Sequence, residues 1–319
     1  MKILIAHDGS ECANAALDDL QFAGLPQVAE VRVLSVGETS SQLPNVVALA
    51  AGTGYYFADD LRVEELNARQ QREAQTFASQ AADRLRSTFP TWYIEPATLF
   101  DAAHSAIVRD AATWKPDLVV VGSSGRSGFR RFLLGSVSRH VLTHTHCSVR
   151  IGRRHSHPHD HPIRLLFGTD GSTDATAALR AIATREWPAR TEVGVAGVLD
   201  YRSWLLMSEA ELPDLMRPRI IEAELRNKVS KIIDQAAQEL AKPGLIAIPK
   251  VLAGNPGMML VAEAEQWDAN CIFVGARGLN ALERVLLGSV STTVAVRAHC
   301  SVEVVRQPAY TDEMKASGS

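Results

Sequence analysis

Short apolar runs alternate along this chain with longer stretches whose apolar residues recur at helical spacing, the order expected of βαβ units around a parallel sheet. The pattern predicts strands at Lys2–Ala6, Val31–Val36, Tyr93–Leu99, Leu118–Val121 and Ser148–Ile151. A second set follows at Arg164–Phe167, Glu192–Val198, Ile246–Leu252, Cys271–Val274 and Val302–Val305. The helices between the first five include Ala13–Phe22, roughly Asp59–Ser87 and His104–Thr113. Asp-Gly-Ser ahead of Ala13 supplies capping groups, with the capping residue itself left open by the sequence.

The two sets are copies. ILIAHDGS from Ile3 to Ser10 is matched by LLFGTDGS from Leu165 to Ser172, at an offset of 162. VGSSGRSGFRRFLLGSVS from Val121 to Ser138 returns from Val274 to Ser291 as VGARGLNALERVLLGSVS, at an offset of 153. The difference of about nine residues places an insertion in the first copy, and the Gly/Ser-rich stretch from Gly37 to Gly54 is where it is expected. From Gly152 to Pro162 the apolar periodicity breaks down among prolines, arginines and alternating histidines, which reads as a linker. The expected organisation is therefore two doubly wound α/β domains with five-stranded parallel sheets, at 1–152 and 163–307, related by internal duplication. A histidine-rich linker at 153–162 and a disordered tail at 308–319 complete it.

Bulk properties narrow the class only a little. A length of 319 residues suits two domains, and 46% hydrophobic with 22% charged residues suits a soluble globular chain. A net charge of −3 lacks the concentrated basic excess of a nucleic-acid-binding surface. The apolar run at the N-terminus is ended by His7-Asp8, so it reads as a strand rather than an export signal, and no segment is long enough to span a membrane. A cytoplasmic protein is expected. The four cysteines, Cys12, Cys147, Cys271 and Cys300, show no CxxC spacing and read as reduced, mostly buried thiols.

The chemistry concentrates in the repeated loops. Each copy carries G-x2-G-x9-G-S beginning at the end of its fourth strand: Gly122, Gly125, Gly135 and Ser136, then Gly275, Gly278, Gly288 and Ser289. Strand, glycine loop and helix is an order that binds phosphate, because glycines admit an anion close to backbone amides and the helix start adds unpaired N–H groups and a positive dipole end. The competing reading is that these glycines only permit tight turns. Asp8 and Asp170 end the first strand of each copy, where doubly wound folds meet their ligands. Each carboxylate can accept from ribose hydroxyls or cap the following helix.

With a first-strand aspartate, five alternating strands and G-x2-G-x9-G-S in each half, the chain resembles the ATP-binding branch of the universal stress protein family, over nearly its whole length. The resemblance implies an adenine nucleotide α-hydrolase-like fold. It implies a glycine motif that holds phosphates, together with the adjoining Val137 and Val290, an aspartate that meets the ribose, and valines over adenine at Val36 and Val198. It also implies ATP, with Mg2+, as the ligand of both halves. The first copy departs from the family's Gly-x-Pro after the third strand: Gly254-Asn255-Pro256 in the second copy is Asp101-Ala102-Ala103 in the first, so the first pocket is expected to differ in shape. Prolines usual before the last strand and near the end of the first are replaced by Ser148 and Ser301, and by Ala6 and Gly168.

Arg126, Arg130 and Arg131 make the first loop more cationic than the second, which has Arg277 and Arg284 with Glu283. If these arginines face the ligand, the first copy binds a triphosphate more tightly; the alternative is that they are solvated. His155, His157, His159 and His161 are read as linker residues rather than a metal site, and His146-Cys147 and His299-Cys300 as structural, since neighbours on a strand face opposite ways. The fifth strands read as apolar, and in the family such strands pair across a dimer interface. An intrachain pseudo-dimer is expected, with a possible homodimer. No GxxxxGK[ST] loop or kinase signature is present. The expected function is a stress-response protein whose nucleotide occupancy alters its shape or an unidentified regulatory partner. The alternatives are slow ATP hydrolysis or self-phosphorylation at Ser136 or Ser138, and a partner- or small-molecule-binding module with vestigial sites.

Overall fold

The computed structural model describes residues 1–37, 60–125, 134–154, 162–200, 217–279 and 287–307, with backbone alone at 60–64 and 217–221. The expected insertion beyond Gly37, the linker histidines, Arg126, Arg130, Arg131, Glu283, Arg284 and the tail lie outside the described residues. Two compact bodies divide the chain. The first holds residues 1–21, 26–145 and 151–154, and the second holds 22–25, 146–150 and 155–319.

The first repeat runs β1 (Lys2–Ala6), α1 (Glu11–Asp19), β2 (Glu30–Gly37), α2 (Asp60–Thr88), β3 (Tyr93–Phe100), α3 (Ala103–Trp114), β4 (Leu118–Gly122), α4 (Ser136–His144) and β5 (Ser148–Gly152). The second runs β6 (Arg164–Gly168), α5 (Thr173–Ala183), β7 (Glu192–Leu199), α6 (Arg217–Ala241), β8 (Ile246–Ala253), α7 (Pro256–Gln266), β9 (Cys271–Gly275), α8 (Ser289–Arg297) and β10 (Ser301–Val305). Every predicted strand is present to within a residue at each end. The first helix stops three residues earlier than predicted, because Leu20–Phe22 tighten into a 3-10 turn.

The strand order is β3-β2-β1-β4-β5 in the first repeat and β8-β7-β6-β9-β10 in the second. In the first, β1 pairs in parallel with β2 on one side and β4 on the other, and β6 does the same with β7 and β9. The order therefore reverses beside the first strand of each repeat, opening a crevice at the C-terminal ends of β1 and β4, or β6 and β9. Strands covered by helices on both faces read as continuous apolar runs: Ile3, Leu4 and Ile5 are at most 1% exposed, as are Leu165, Leu166 and Phe167. Long helices lie over the outer strands, α2 against β2 and β3 and α6 against β7 and β8, while α3 packs with α4 and α7 with α8.

The second body departs from an all-apolar reading of the fifth strands. Within it Arg150 donates to Glu303 at 3.1 Å, and Arg185 donates to both carboxylate oxygens of Glu303, at 2.9 Å to Oε2 and more closely to Oε1. Arg185 also reaches the Ala23 carbonyl at 3.0 Å. The side chains of Arg150, Glu303 and Arg185 are 0%, 1% and 8% exposed, so this ion triad sits in a core position.

In the first body three imidazoles gather where α3 meets α4. His104 meets the His140 ring edge-on with centroids 4.6 Å apart, and His140 stacks on His144 at 3.9 Å. A carbonyl only accepts, so the 2.9 Å contact between His144 Nδ1 and the His140 oxygen places the proton on Nδ1. Burial, and then the positive charge that His144 and His104 can carry, hold the His140 pKa below its ordinary 6.5. A depressed histidine pKa means the unfolded chain binds the proton first. The fold therefore has its full stability above about pH 6.5 and loses part of it as pH falls toward the depressed value. Thermal unfolding at pH 7.5 and 5.5 is expected to show a larger acid loss in the wild type than in His140→Asn; equal losses would contradict this.

Candidate functional site

Each crevice is built from the strand end upward. Asp8 follows β1, Gly9 takes the left-handed conformation at φ +78°, and Asp8 Oδ1 accepts the Ser10 amide at 3.0 Å. Asp170, Gly171 at φ +79° and Ser172 repeat the turn, with the amide bond at 2.9 Å. A side chain on Gly9 would also meet the Phe77 ring at 2.5 Å. Ser10 and Ser172 cap α1 and α5 by accepting from Ala13 and Ala175 at 3.1 and 3.2 Å. The capping position left open by the sequence thus belongs to the serines, and the aspartates' second oxygens are directed elsewhere.

Those oxygens face the glycine loops. A Cβ added at Gly125 would lie 3.0 Å from Asp8 Oδ2, and one at Gly278 would lie 2.7 Å from Asp170 Oδ2. In the second repeat Asp170 Oδ2 also accepts the Leu279 amide at 3.0 Å. The other motif glycines have different reasons to be small. Gly122 and Gly275 press against the first turns of α1 and α5, where a Cβ would meet the Cys12 carbonyl carbon at 2.8 Å and the Ala175 nitrogen at 2.6 Å. Gly135 and Gly288 cap α4 and α8 without a side-chain bond, and their own amides return to Ser123 and Ala276 carbonyls at 2.8 and 2.7 Å.

The first turns of α4 and α8 begin at exposed Ser136 and Ser289, followed by half-buried Val137 and Val290. Ser138 is 5% exposed and donates to the Gly122 carbonyl at 2.7 Å, while its counterpart Ser291 donates to Ala276 at 2.9 Å. Of the two serines considered for modification, Ser136 is exposed and Ser138 serves the loop from beneath. Val36 and Val198 stand half-buried near the ends of β2 and β7, the strands that neighbour β1 and β6. Asp8, Val36, Gly122, Gly125, Gly135, Ser136 and Val137 thus belong to one body, and Asp170, Val198, Gly275, Gly278, Gly288, Ser289 and Val290 to the other.

Several supporting residues escaped the sequence reading. His7 Nδ1 accepts the Gly9 amide at 3.3 Å, so the ring's proton sits on Nε2, which donates to Asn14 at 3.3 Å. Thr169 fills the same place in the second repeat, its hydroxyl accepting the Gly171 amide at 3.2 Å. Asp174, 1% exposed in the first turn of α5, accepts the Arg277 amide at 3.1 Å and its Nε at 3.0 Å. The Arg277 charge is engaged by that carboxylate. At the third-helix starts, Asn255 caps α7 through the Met258 amide at 3.1 Å, with Pro256 in its first turn, whereas Asp101 pairs with Arg109 at 2.8 Å and α3 has no side-chain cap.

Cys271 and Cys300 are buried, and Cys12 and Cys147 only partly so. Among the described residues no cluster of histidine, cysteine and carboxylate groups is arranged to hold a metal, and no helix is long and apolar enough to cross a membrane.

The universal stress protein family matches the chain twice, over residues 1–153 and 163–306. Universal stress protein Rv2623 of Mycobacterium tuberculosis is 31% identical over 215 residues, covering 64% of this chain and 68% of that protein. Universal stress protein YxiE of Bacillus subtilis is 29% identical over 155 residues, which is 48% of this chain and 98% of that protein. The crystal structure of a universal stress protein from Archaeoglobus fulgidus shares the fold with a TM-score of 0.62 at 20% identity, covering 96% of this chain and 98% of that one. With its duplicated crevice and a family match across both repeats, the chain belongs to the universal stress protein family as a tandem of two family domains.

Proposed function

We propose that each repeat binds ATP or a related adenine nucleotide, and that occupancy of the two sites makes the chain a cytoplasmic stress-response switch acting on a regulatory partner. The observation that carries this reading is the convergence, in both repeats, of the first-strand aspartate on a glycine loop, where an added Cβ would crowd its carboxylate oxygen. A phosphate chain along the loop would meet backbone amides and the uncapped first turn of α4 or α8. The ribose hydroxyls would lie toward Asp8 or Asp170, and Val36 or Val198 would offer the base an apolar contact.

These residues fit the group. Mg2+ would arrive with the triphosphate and be held largely by phosphate oxygens and water. The cation's chemical contribution would be charge neutralisation, while the chain itself binds, orients and keeps the loop amides in place. The exposure of Ser136 at the head of α4 favours it over Ser138 as the acceptor if the chain transfers phosphate to itself. The proposal is tested by calorimetric titration of the full chain with Mg2+-ATP, with uptake at two sites expected. Absence of binding would leave a tandem fold acting through other ligands or partners.

A further inference from the structure

The two loops are not held alike. By the repeat offsets of 162 and 153, Cys12 corresponds to Asp174 and Ser124 to Arg277. In the second repeat the buried Asp174 carboxylate takes the Arg277 backbone amide at 3.1 Å and its guanidinium at 3.0 and 3.4 Å. The Arg277 carbonyl in turn accepts from the Ser172 hydroxyl at 3.2 Å. Residue 277 is thus gripped at its amide, carbonyl and side chain, immediately before Gly278. At the same place in the first repeat stands a thiol–hydroxyl contact, Cys12 Sγ to Ser124 Oγ at 3.1 Å. A thiol is a weak donor and acceptor, whereas a carboxylate gripping a guanidinium and an amide makes charge-assisted bonds of fixed direction.

We propose that Asp174 is the positioning residue of the second glycine loop, presetting residues 275–279 before any ligand arrives, and that the first repeat, lacking this clamp, holds residues 122–125 less firmly until a ligand binds. Rigidity present beforehand removes an ordering cost from binding. It also consumes the Arg277 charge that a phosphate could otherwise use. The two consequences oppose each other, so the sign of a mutant effect decides between them. For the ligand this inference rests on the nucleotide reading; for the loop it does not.

The test is amide hydrogen exchange on the ligand-free full chain, followed by Mg2+-ATP titration. In Asp174→Asn, exchange at 275–279 should accelerate at least about tenfold while 122–125 is unchanged. Arg277→Gln should accelerate it similarly, and the double variant should go little further, since both remove one clamp. Grafting Cys12→Asp with Ser124→Arg should slow exchange at 122–125, a result that lost stability cannot mimic. Second-site affinity should fall about tenfold in Asp174→Asn. Unchanged exchange in both Asp174→Asn and the graft, or tighter second-site binding on freeing Arg277, would overturn the clamp. Faster exchange with no nucleotide uptake by the wild type would leave the clamp standing and remove the nucleotide reading.

Discussion

Glu303→Gln should destabilise the protein by about 3–5 kcal/mol, because it removes the carboxylate charge that two buried guanidiniums share. Arg150 and Arg185 both pair with that carboxylate, at side-chain exposures of 0% and 8%. Taking a charge out of water costs several kcal/mol, and an interior site repays it only while the partner is present. Replacing Arg150, Arg185 and Glu303 together by apolar residues of similar size is therefore expected to cost far less than Glu303→Gln alone. Urea unfolding of the two variants gives the comparison. A Glu303→Gln midpoint equal to wild type would mean the triad contributes little to stability.

Gly278→Val should abolish ligand-induced stabilisation of the second repeat with little change in the ligand-free protein. The glycine is exposed and does not occupy the left-handed region, so its backbone tolerates a side chain. What the substitution takes is space: its Cβ would sit 2.7 Å from Asp170 Oδ2 and push that carboxylate off its position. A ligand at about 100 times its Kd stabilises a single site by about 2.7 kcal/mol, which the variant should lose. Gly275→Val is the contrasting case. Its Cβ would meet backbone of α5 at 2.6 Å, so it should destabilise the protein with or without ligand. Thermal shifts with and without Mg2+-ATP separate the two, and a full ATP response at the second site of Gly278→Val would contradict the assignment.

The strands and the repeat were legible because burial on both faces demands unbroken apolar runs, and duplication showed each run twice. The aspartate and the glycine loop were legible for the same reason, since the DGS turn and the spaced glycines recur. What escaped is what depends on distant partners or differs between the copies. His7 and Thr169 perform one task with unlike side chains, so no shared letter marks them. Asp174 and Arg277 are 103 residues apart and have no like counterpart in the first repeat. Arg150 and Glu303 occupy equivalent places in strands read as apolar, and their burial became visible only with Arg185 beside them. Ser136 and Ser138 look alike in sequence, and only the turn of α4 shows which one faces out.

On this reading both crevices hold an adenine nucleotide. Its most direct test is mass spectrometry of nucleotide released from gently purified protein, supplied with Mg2+-ATP where none is retained. The wild type is compared with chains bulked at Gly125 and Gly135, at Gly278 and Gly288, and at all four. Two adenine nucleotides per chain are expected in the wild type, one in each single-site variant and none when both loops are blocked. No nucleotide in the wild type, or an amount unchanged by blocking both loops, would contradict it.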